Sequence, residues 1–274
     1  MTTGGEATAI RWELSDRVAT VWLHRPHRAN AWTGRMATEY RAVMADLEAR
    51  DDVRAVVVTG TPPAFCVGGD AKALEGHATR GGYDSGVDAD APSPGGGERL
   101  DADLAWQLGY RLPIIAVVEG ACAGVGLSLV LFCDLRFVAA DAKLTTAAAK
   151  LGLPAEYGAS WMLPRLVGVT RANDLLLSGR VVTGAETADW GLWNGVEADG
   201  AATLAAAQAY ARLLATTTGP NAVTTTKRQV VTDLLRLDPA ASVDDSLRLL
   251  NEAMGTAEYR EGIAAFVEKR PPNF

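Results

Sequence analysis

Cysteine and histidine are scarce, with three of each in 274 residues. Cys66, Cys122 and Cys133 have no CxxC spacing and lie in apolar stretches. They fit reduced core thiols in a cytosolic protein, and a cytoplasmic location is expected. His24, His27 and His77 form no ligand pattern, so no metal is expected. Basic excess is also lacking. Lys and Arg number 26 against 33 Asp and Glu, a net charge of -7, which argues against nucleic acid as a partner. No apolar run reaches the roughly 18–20 residues of a membrane span, so no membrane partner is expected. The opening MTTGGEATAIRWEL has neither the basic nor the apolar region of a secretory signal. GxxxxGK[ST] is missing, and so is GxGxxG with its ribose-binding acid, which weighs against a phosphate loop and a Rossmann oxidoreductase.

Apolar side chains are plentiful at 48%, enough for a sizeable core in one large domain, alone or with a smaller appendage. Ala7–Leu14 and Arg17–His24 read as strands joined at Ser15-Asp16. Thr33 is a plausible N-cap for a helix whose apolar positions run Met36, Tyr40, Val43, Met44, Leu47. Val53–Thr59 reads as a buried strand. Residues 73–100 lose all periodicity and read as a mobile surface loop. A helix near Asp101–Tyr110 and a strand over Ile114–Glu119 follow. Gly120–Gly126 is a turn into a helix through Leu131, and Leu135–Ala139 is another strand. Thr183 with Glu186 forms a capping box for a helix holding Trp190. From Ala201 the pattern is helical only, broken at Pro220 and at Asp238-Pro239, with a last helix over Ala257–Lys269. An α/β core followed by a helical appendage is expected.

Two glycine turns follow buried strands: AFCVGGD (Ala64–Asp70) and EGACAGVG (Glu119–Gly126). Glycine permits positive φ and close approach to the main chain. The second turn also opens a helix, whose N-terminus favours developing negative charge. Two such N–H groups converging on one oxygen make an oxyanion hole. Either turn alone is an ordinary strand–helix connection.

The pair, in this order, with HRPHRANAW (His24–Trp32), PIIAVVEGACAGVGLSLVLFCDLRFVAADAKL (Pro113–Leu144), LPRLVGVTRANDLLLSGRVVTGAETADWGLWNGV (Leu163–Val196) and EYREGIAAFVEKRPPNF (Glu258–Phe274), resembles the crotonase, or enoyl-CoA hydratase/isomerase, superfamily along nearly the whole chain. The resemblance implies an α/β spiral of repeated ββα units over residues 1–200, carrying the acyl-CoA site. It implies a C-terminal helical region over 201–274 that builds a homotrimer or a hexameric dimer of trimers and caps the CoA. The substrate would be an acyl-CoA thioester of fatty acid metabolism, with coenzyme A as part of the substrate and no further cofactor. The N–H groups of Gly69 and Val125 would bind the thioester oxygen. Val125 stands where the family usually has Gly, a change that keeps the donor and narrows the pocket. Arg28, Ala29 and Ala31 would line the CoA path. The backbone of Gly69, Asp70, Ala71 and Lys72 would hold the adenine end. Phe266 and Lys269 would meet the CoA nucleotide, across a subunit boundary; apart from the resemblance, Lys269 reads as a solvated tail charge.

The family's hydratases use two glutamates. Their places here are held by Ser128 and Ala148, neither of which moves a proton as a carboxylate does. Glu156, eight residues further on, sits where one-base 3-enoyl-CoA isomerases carry a Glu in a stretch like GLPAEYG. It would take a proton from C2 of a 3-enoyl thioester and return it at C4, giving the conjugated 2-enoyl thioester. Apolar neighbours such as Leu153, Trp161 and Met162 would raise its pKa. Read without the resemblance, Glu156 is a first-turn helix acid favoured by the dipole. Ser128 would touch substrate or water, or is a neutral core hydroxyl, and Trp161 would wall the acyl pocket or fill the core. The alternatives are a hydratase with a displaced acid, another enolate reaction such as C–C cleavage, and a non-catalytic acyl-CoA-binding protein.

Overall fold

The computed structural model describes residues 2–3, 8–95 and 100–274. The expected strand start at Ala7 and the stretch 96–99 of the expected loop lie outside the described residues.

The chain opens with β1 (Thr2–Thr3), β2 (Ile10–Ser15) and β3 (Val18–Leu23). Asp16 and Arg17, at φ 51 and 63, make the two-residue turn that folds β2 antiparallel onto β3. Thr33 caps α1 (Gly34–Glu48), its hydroxyl accepting the Met36 N–H at 3.2 Å. A winding then recurs, in which a long strand is followed by a short one and a helix. The first turn of it is β4 (Ala55–Gly60), β5 (Ala64–Cys66) and α2 (Ala71–Arg80). After the short α3 (Trp106–Gly109) come β6 (Ile114–Val118), β7 (Ala121–Ala123) and α4 (Val125–Leu131). Then follow β8 (Leu135–Ala139), β9 (Lys143–Thr145) and α5 (Ala159–Ser178). The core closes with β10 (Val182–Thr183) and β11 (Gly195–Glu197).

The long strands form one sheet in the order β1-β2-β3-β4-β6-β8-β11, parallel from β3 onward. The short strands form a second sheet, β10-β9-β7-β5. Each ββα unit therefore places one strand in each sheet, as the expected spiral requires. The central strands β3, β4 and β6 are buried along their whole length, as parallel strands covered on both faces are. One face meets α1, α4 and α5 in the main core. The other is covered by α6 (Gly200–Thr217) through Ala207, Ala211 and Ala215. Alanine at every fourth position lets the helix lie close to Val57, Ile115 and Val117.

Three helices complete the chain: α7 (Pro220–Leu234), α8 (Pro239–Met254) and α9 (Ala257–Glu268). The division at residue 200 assigns α6 to the C-terminal region, yet α6 is packed on the core sheet. Lys227 ties α7 to the core, its Nζ 2.7 Å from Asp134 Oδ2 and 3.0 Å from the Leu112 carbonyl oxygen.

Two sequence expectations are corrected. Residues 73–100 are not one mobile loop, because α2 reaches Arg80, capped by Asp70 at its start and by the left-handed Gly81 at its end. The capping box at Thr183 and Glu186 is formed, with N–H to oxygen distances of 2.7 and 3.1 Å. It opens only a short 3-10 turn, Ala185–Thr187, and Trp190 lies beyond it.

Candidate active site

The two glycine turns lie side by side because β5 and β7 pair in parallel, Ala64 opposite Ala121 and Cys66 opposite Cys122. The contact is backbone-close. A Cβ at Gly126 would fall 2.6 Å from the Cys66 carbonyl oxygen and 3.0 Å from its sulfur. The first turn is held by buried Asn30. Its Oδ1 accepts the Arg25 N–H at 2.8 Å, and its amide donates to the carbonyls of Thr61 at 2.8 Å and Ala64 at 2.6 Å. Trp32 then brackets Gly69. The Trp32 N–H donates to the Gly68 carbonyl at 2.8 Å, and its carbonyl accepts the Asp70 N–H at 2.9 Å. The Gly69 N–H between them has no backbone acceptor among the described residues.

In the second turn Gly124 adopts φ 52 and ψ -122, a conformation for which glycine is the fitting residue. It hands the chain to Val125 at the first position of α4, where an N–H has no partner within the helix. The Val125 side chain is buried in the core and does not line the pocket beside the turn. The narrowing expected from valine in place of glycine is therefore not found there.

Glu156 closes the arrangement. A Cβ on Gly124 would lie 3.7 Å from Gly68 Cα and 3.8 Å from Glu156 Oε2, so both turns and this carboxylate meet at one place. Gly124, Ser128, Ala148 and Glu156 line one small pocket with Leu127, Thr146, Ala155, Ala159 and Leu176. Ser128 and Ala148 thus face the cavity into which Glu156 brings its acid. Glu156 is the one ionisable residue in that lining. It is half-buried, and burial pushes its carboxyl above the ordinary glutamate value.

Glu156 is not a first-turn helix acid. It sits in the connection before α5, whose N-cap is Gly158. Its carbonyl oxygen accepts the Ala159 N–H at 2.9 Å and the Ser128 hydroxyl at 3.4 Å. Ser128 is buried, and its hydroxyl ties down the segment that carries Glu156.

The expected CoA-path residues are neighbours. The Val67 N–H donates to the Ala29 carbonyl at 3.3 Å, which brings the Arg28–Ala31 segment beside the first glycine turn. Ala31 is buried, while Arg28, Ala71 and Lys72 are exposed. Asp70 is occupied structurally, as its carboxylate accepts the Lys72 N–H at 3.1 Å and pairs with Arg25 at 3.0 Å. Burial pushes Asp70 up, but these donors win and hold it below the ordinary carboxylate value. Sequence reading missed Arg25 and Asn30, because an internal bracket is visible only once its partners at 61, 64 and 70 are in place. Trp161 is not in the Glu156 pocket. It packs at the edge of the core, with the Arg165 guanidinium 3.9 Å from its ring centroid. Phe266, 82% exposed, and Lys269 lie on and just after α9, and neither lines the pocket.

Comparison with known proteins agrees with this geometry. The family model described as enoyl-CoA hydratase/isomerase matches residues 13–274. The chain belongs to that family, within the crotonase superfamily. It is 33% identical over 265 residues to the 1,2-epoxyphenylacetyl-CoA isomerase of Escherichia coli K12, covering 94% of each chain. It is 31% identical to the mevalonyl-coenzyme A hydratase of Beauveria bassiana, covering 93% of this chain and 90% of that one. The crystal structure of an enoyl-CoA hydratase from Mycobacterium tuberculosis H37Rv superposes with a TM-score of 0.83 at 26% identity, over 97% of this chain and 98% of that one. The protein is an enzyme of the crotonase family with that family's α/β fold. Among the described residues, no helix is long and apolar enough to cross a membrane, and no cluster of three or more His, Cys, Asp or Glu is placed to hold a metal.

Proposed function

We propose that this crotonase-family enzyme isomerises a 3-enoyl-CoA to the conjugated 2-enoyl-CoA, with Glu156 as its single base. The observation that carries the reading is the lining of one pocket, where Ser128 and Ala148 hold the two hydratase positions and Glu156 supplies the carboxylate. The thioester oxygen binds between the N–H groups of Gly69 and Val125. Glu156 takes the C2 proton, which the thioester acidifies, and negative charge moves onto the oxygen as a dienolate. The two N–H groups stabilise that charge where it develops. The protonated Glu156 then delivers its proton to C4. A carboxyl raised by burial suits both halves, since it holds a proton more readily than an exposed glutamate. Arg28 and Lys72, exposed beside the first turn, supply positive charge for the CoA phosphates.

The enzyme is read as a homo-oligomer, a trimer or a dimer of trimers. Support comes from the apolar side chains that α8 and α9 leave exposed: Val243, Leu247 and Leu250 on one, and Ile263, Phe266 and Val267 on the other. Burying such a surface against further copies is the ordinary remedy, and it would let Phe266 and Lys269 approach a neighbouring site.

A second reading is hydration of a 2-enoyl-CoA, favoured by the mevalonyl-CoA hydratase relative. The deciding experiment follows the ultraviolet absorbance of a 3-enoyl-CoA panel as the conjugated thioester forms, with Glu156→Gln alongside. A rise with the native enzyme that disappears in the variant supports one-base isomerisation. No rise at any chain length, with loss of absorbance from 2-enoyl-CoA instead, overturns it in favour of hydration.

A further inference from the structure

A chain of buried polar groups crosses the core between α1 and α4. Tyr40 on α1, Gln107 on α3 and Leu129 on α4 are all fully buried. The Tyr40 hydroxyl donates to Gln107 Oε1 at 2.6 Å, and Gln107 Nε2 donates to the Leu129 carbonyl at 3.0 Å. A carbonyl only accepts, so Gln107 turns its amide to Leu129 and its oxygen to Tyr40. The Cys133 thiol donates to the same carbonyl at 3.3 Å and lies 3.9 Å from Gln107 Nε2. Apolar side chains of the same shape could fill this space at little cost in stability. What the polar pair adds is direction, because each hydrogen bond holds only over a narrow range of distance and angle.

Each end of the chain leads to one of the two glycine turns. At one end, Trp32 is bridged to Gly69, and α1 starts two residues later at Gly34. The Trp32 ring also meets the Tyr40 ring edge to face, with centroids 6.1 Å apart. At the other end, α4 is seven residues long, with Val125 first. Leu129 follows Val125 by four residues, about one turn or ~6 Å along the axis. The carbonyls of a helix's last turn lack partners within the helix, which leaves that of Leu129 open to a side-chain cap. Fixing this carbonyl fixes the tilt of so short a helix, and with it the direction of the Val125 N–H.

We propose that Tyr40 and Gln107 are positioning residues, which set α1 against α4 so that the Gly69 and Val125 N–H groups converge on one oxygen. This rests on the reading that those two groups bind the thioester oxygen. Neither side chain lines the Glu156 pocket, so both act through the backbone donors and not on the substrate. Small errors matter at such a site. A misplacement of about 1 Å imposed from far away can cost roughly 100-fold in rate.

The test is infrared spectroscopy of butyryl-CoA, labelled with carbon-13 at its carbonyl and bound to the full-length enzyme. Hydrogen bonds to a carbonyl lower its stretching frequency, and this saturated thioester has no double bond to move. The native enzyme should lower the frequency below that of the free thioester. The Tyr40→Phe/Gln107→Leu double variant should lower it less, with kcat for 3-enoyl-CoA down about 10- to 100-fold and KM nearly unchanged. Tyr40→Phe alone deletes a single oxygen and is read in the same way if the double variant does not fold. Tyr110→Phe is the control. Its hydroxyl is equally buried and donates to the Met44 carbonyl on α1 at 2.7 Å, with no hydrogen bond to α4 among the described residues. It should keep the native frequency. A native frequency in the Tyr40 and Gln107 variants, or an equal change in Tyr110→Phe, overturns the positioning role and leaves the oxyanion hole standing. No lowering in the native enzyme overturns both. The expected pattern of frequencies, found in an enzyme that isomerises no 3-enoyl-CoA, upholds the positioning role and refutes only the one-base reaction.

Discussion

Replacing Asn30 tests the internal bracket that holds the first glycine turn, which carries the proposed oxyanion donor Gly69. Asn30 is fully buried and makes three hydrogen bonds, one accepted from Arg25 and two donated to the carbonyls of Thr61 and Ala64. Asn30→Ala removes all three. The Ala64 partner is deeply buried, and leaving it unpaired costs about 1–3 kcal/mol, with less from the two that water can reach. Asn30 also sits at φ 56, a left-handed conformation that asparagine tolerates and alanine adopts at a cost of about 1–2 kcal/mol. The sum is roughly 3–5 kcal/mol, which at ~2 °C per kcal/mol lowers Tm by several degrees, readable by scanning calorimetry. Asn30→Gly loses the same hydrogen bonds but not the backbone preference, so it should melt above Asn30→Ala by about 1 kcal/mol of stability. That order inverts the usual advantage of alanine over glycine. Alanine equal to or more stable than glycine, or a loss below about 1 kcal/mol in both, would refute the reasoning. In the same variants kcat/KM should fall, since Thr61 and Ala64 lead directly into the strand that presents Gly69.

Glu156→Gln should lower turnover about 100- to 10,000-fold while acyl-CoA binding survives. In the native enzyme kcat should fall as pH drops through a value above the ordinary glutamate pKa, because burial raises this carboxyl and the base must be ionised. An acid whose folded-state pKa is raised loses stability as pH climbs from its unfolded value through its folded one. The same Gln variant should therefore melt higher than native enzyme at neutral pH, with the gap closing below the ordinary carboxylate range. Val125→Pro removes one N–H at a first helical position, where proline is tolerated. Its turnover should drop about 100- to 1,000-fold, with the far-ultraviolet dichroism spectrum unchanged. Lys227→Ala unpairs the partly buried Asp134 and should cost about 2–4 kcal/mol, seen as a lower Tm and faster hydrogen exchange in α7.

The long strands were legible because they are continuous β-branched runs, as in Val53–Thr59 and Ile114–Glu119. The short strands were not. Ala64–Cys66, Ala121–Ala123 and Lys143–Thr145 are three residues each, too brief to show a period, and they exist because the second sheet pairs them. The helix α2 was hidden for a related reason. AKALEGHATR has no buried residue, so it lacks an apolar stripe, and its bounds come from the Asp70 and Gly81 caps. The meeting of Glu156, Ser128 and Ala148 in one pocket follows from the winding that carries α4 past the segment before α5. Their sequence separations do not display it.

In the proposed reaction, the same winding accounts for an oxyanion hole that stays in place while the acid's position changes. The two proposed donors are backbone groups set by the β5–β7 pairing and by the glycine turns, so valine fits at 125 with its side chain directed into the core. The acids are side chains, and positions 128, 148 and 156 all open onto one small cavity beside the donors. In the proposed reaction, moving the carboxylate among them would change which substrate carbons it reaches and leave the two backbone donors in place. Two carboxylates in so small a space would repel and raise each other's pKa values. A single one, half-buried, is raised by burial alone and can both accept and release a proton. A pocket with one acid, and a serine holding that acid's loop where the first hydratase acid would stand, is therefore a coherent arrangement for carrying one proton between two carbons of the same substrate.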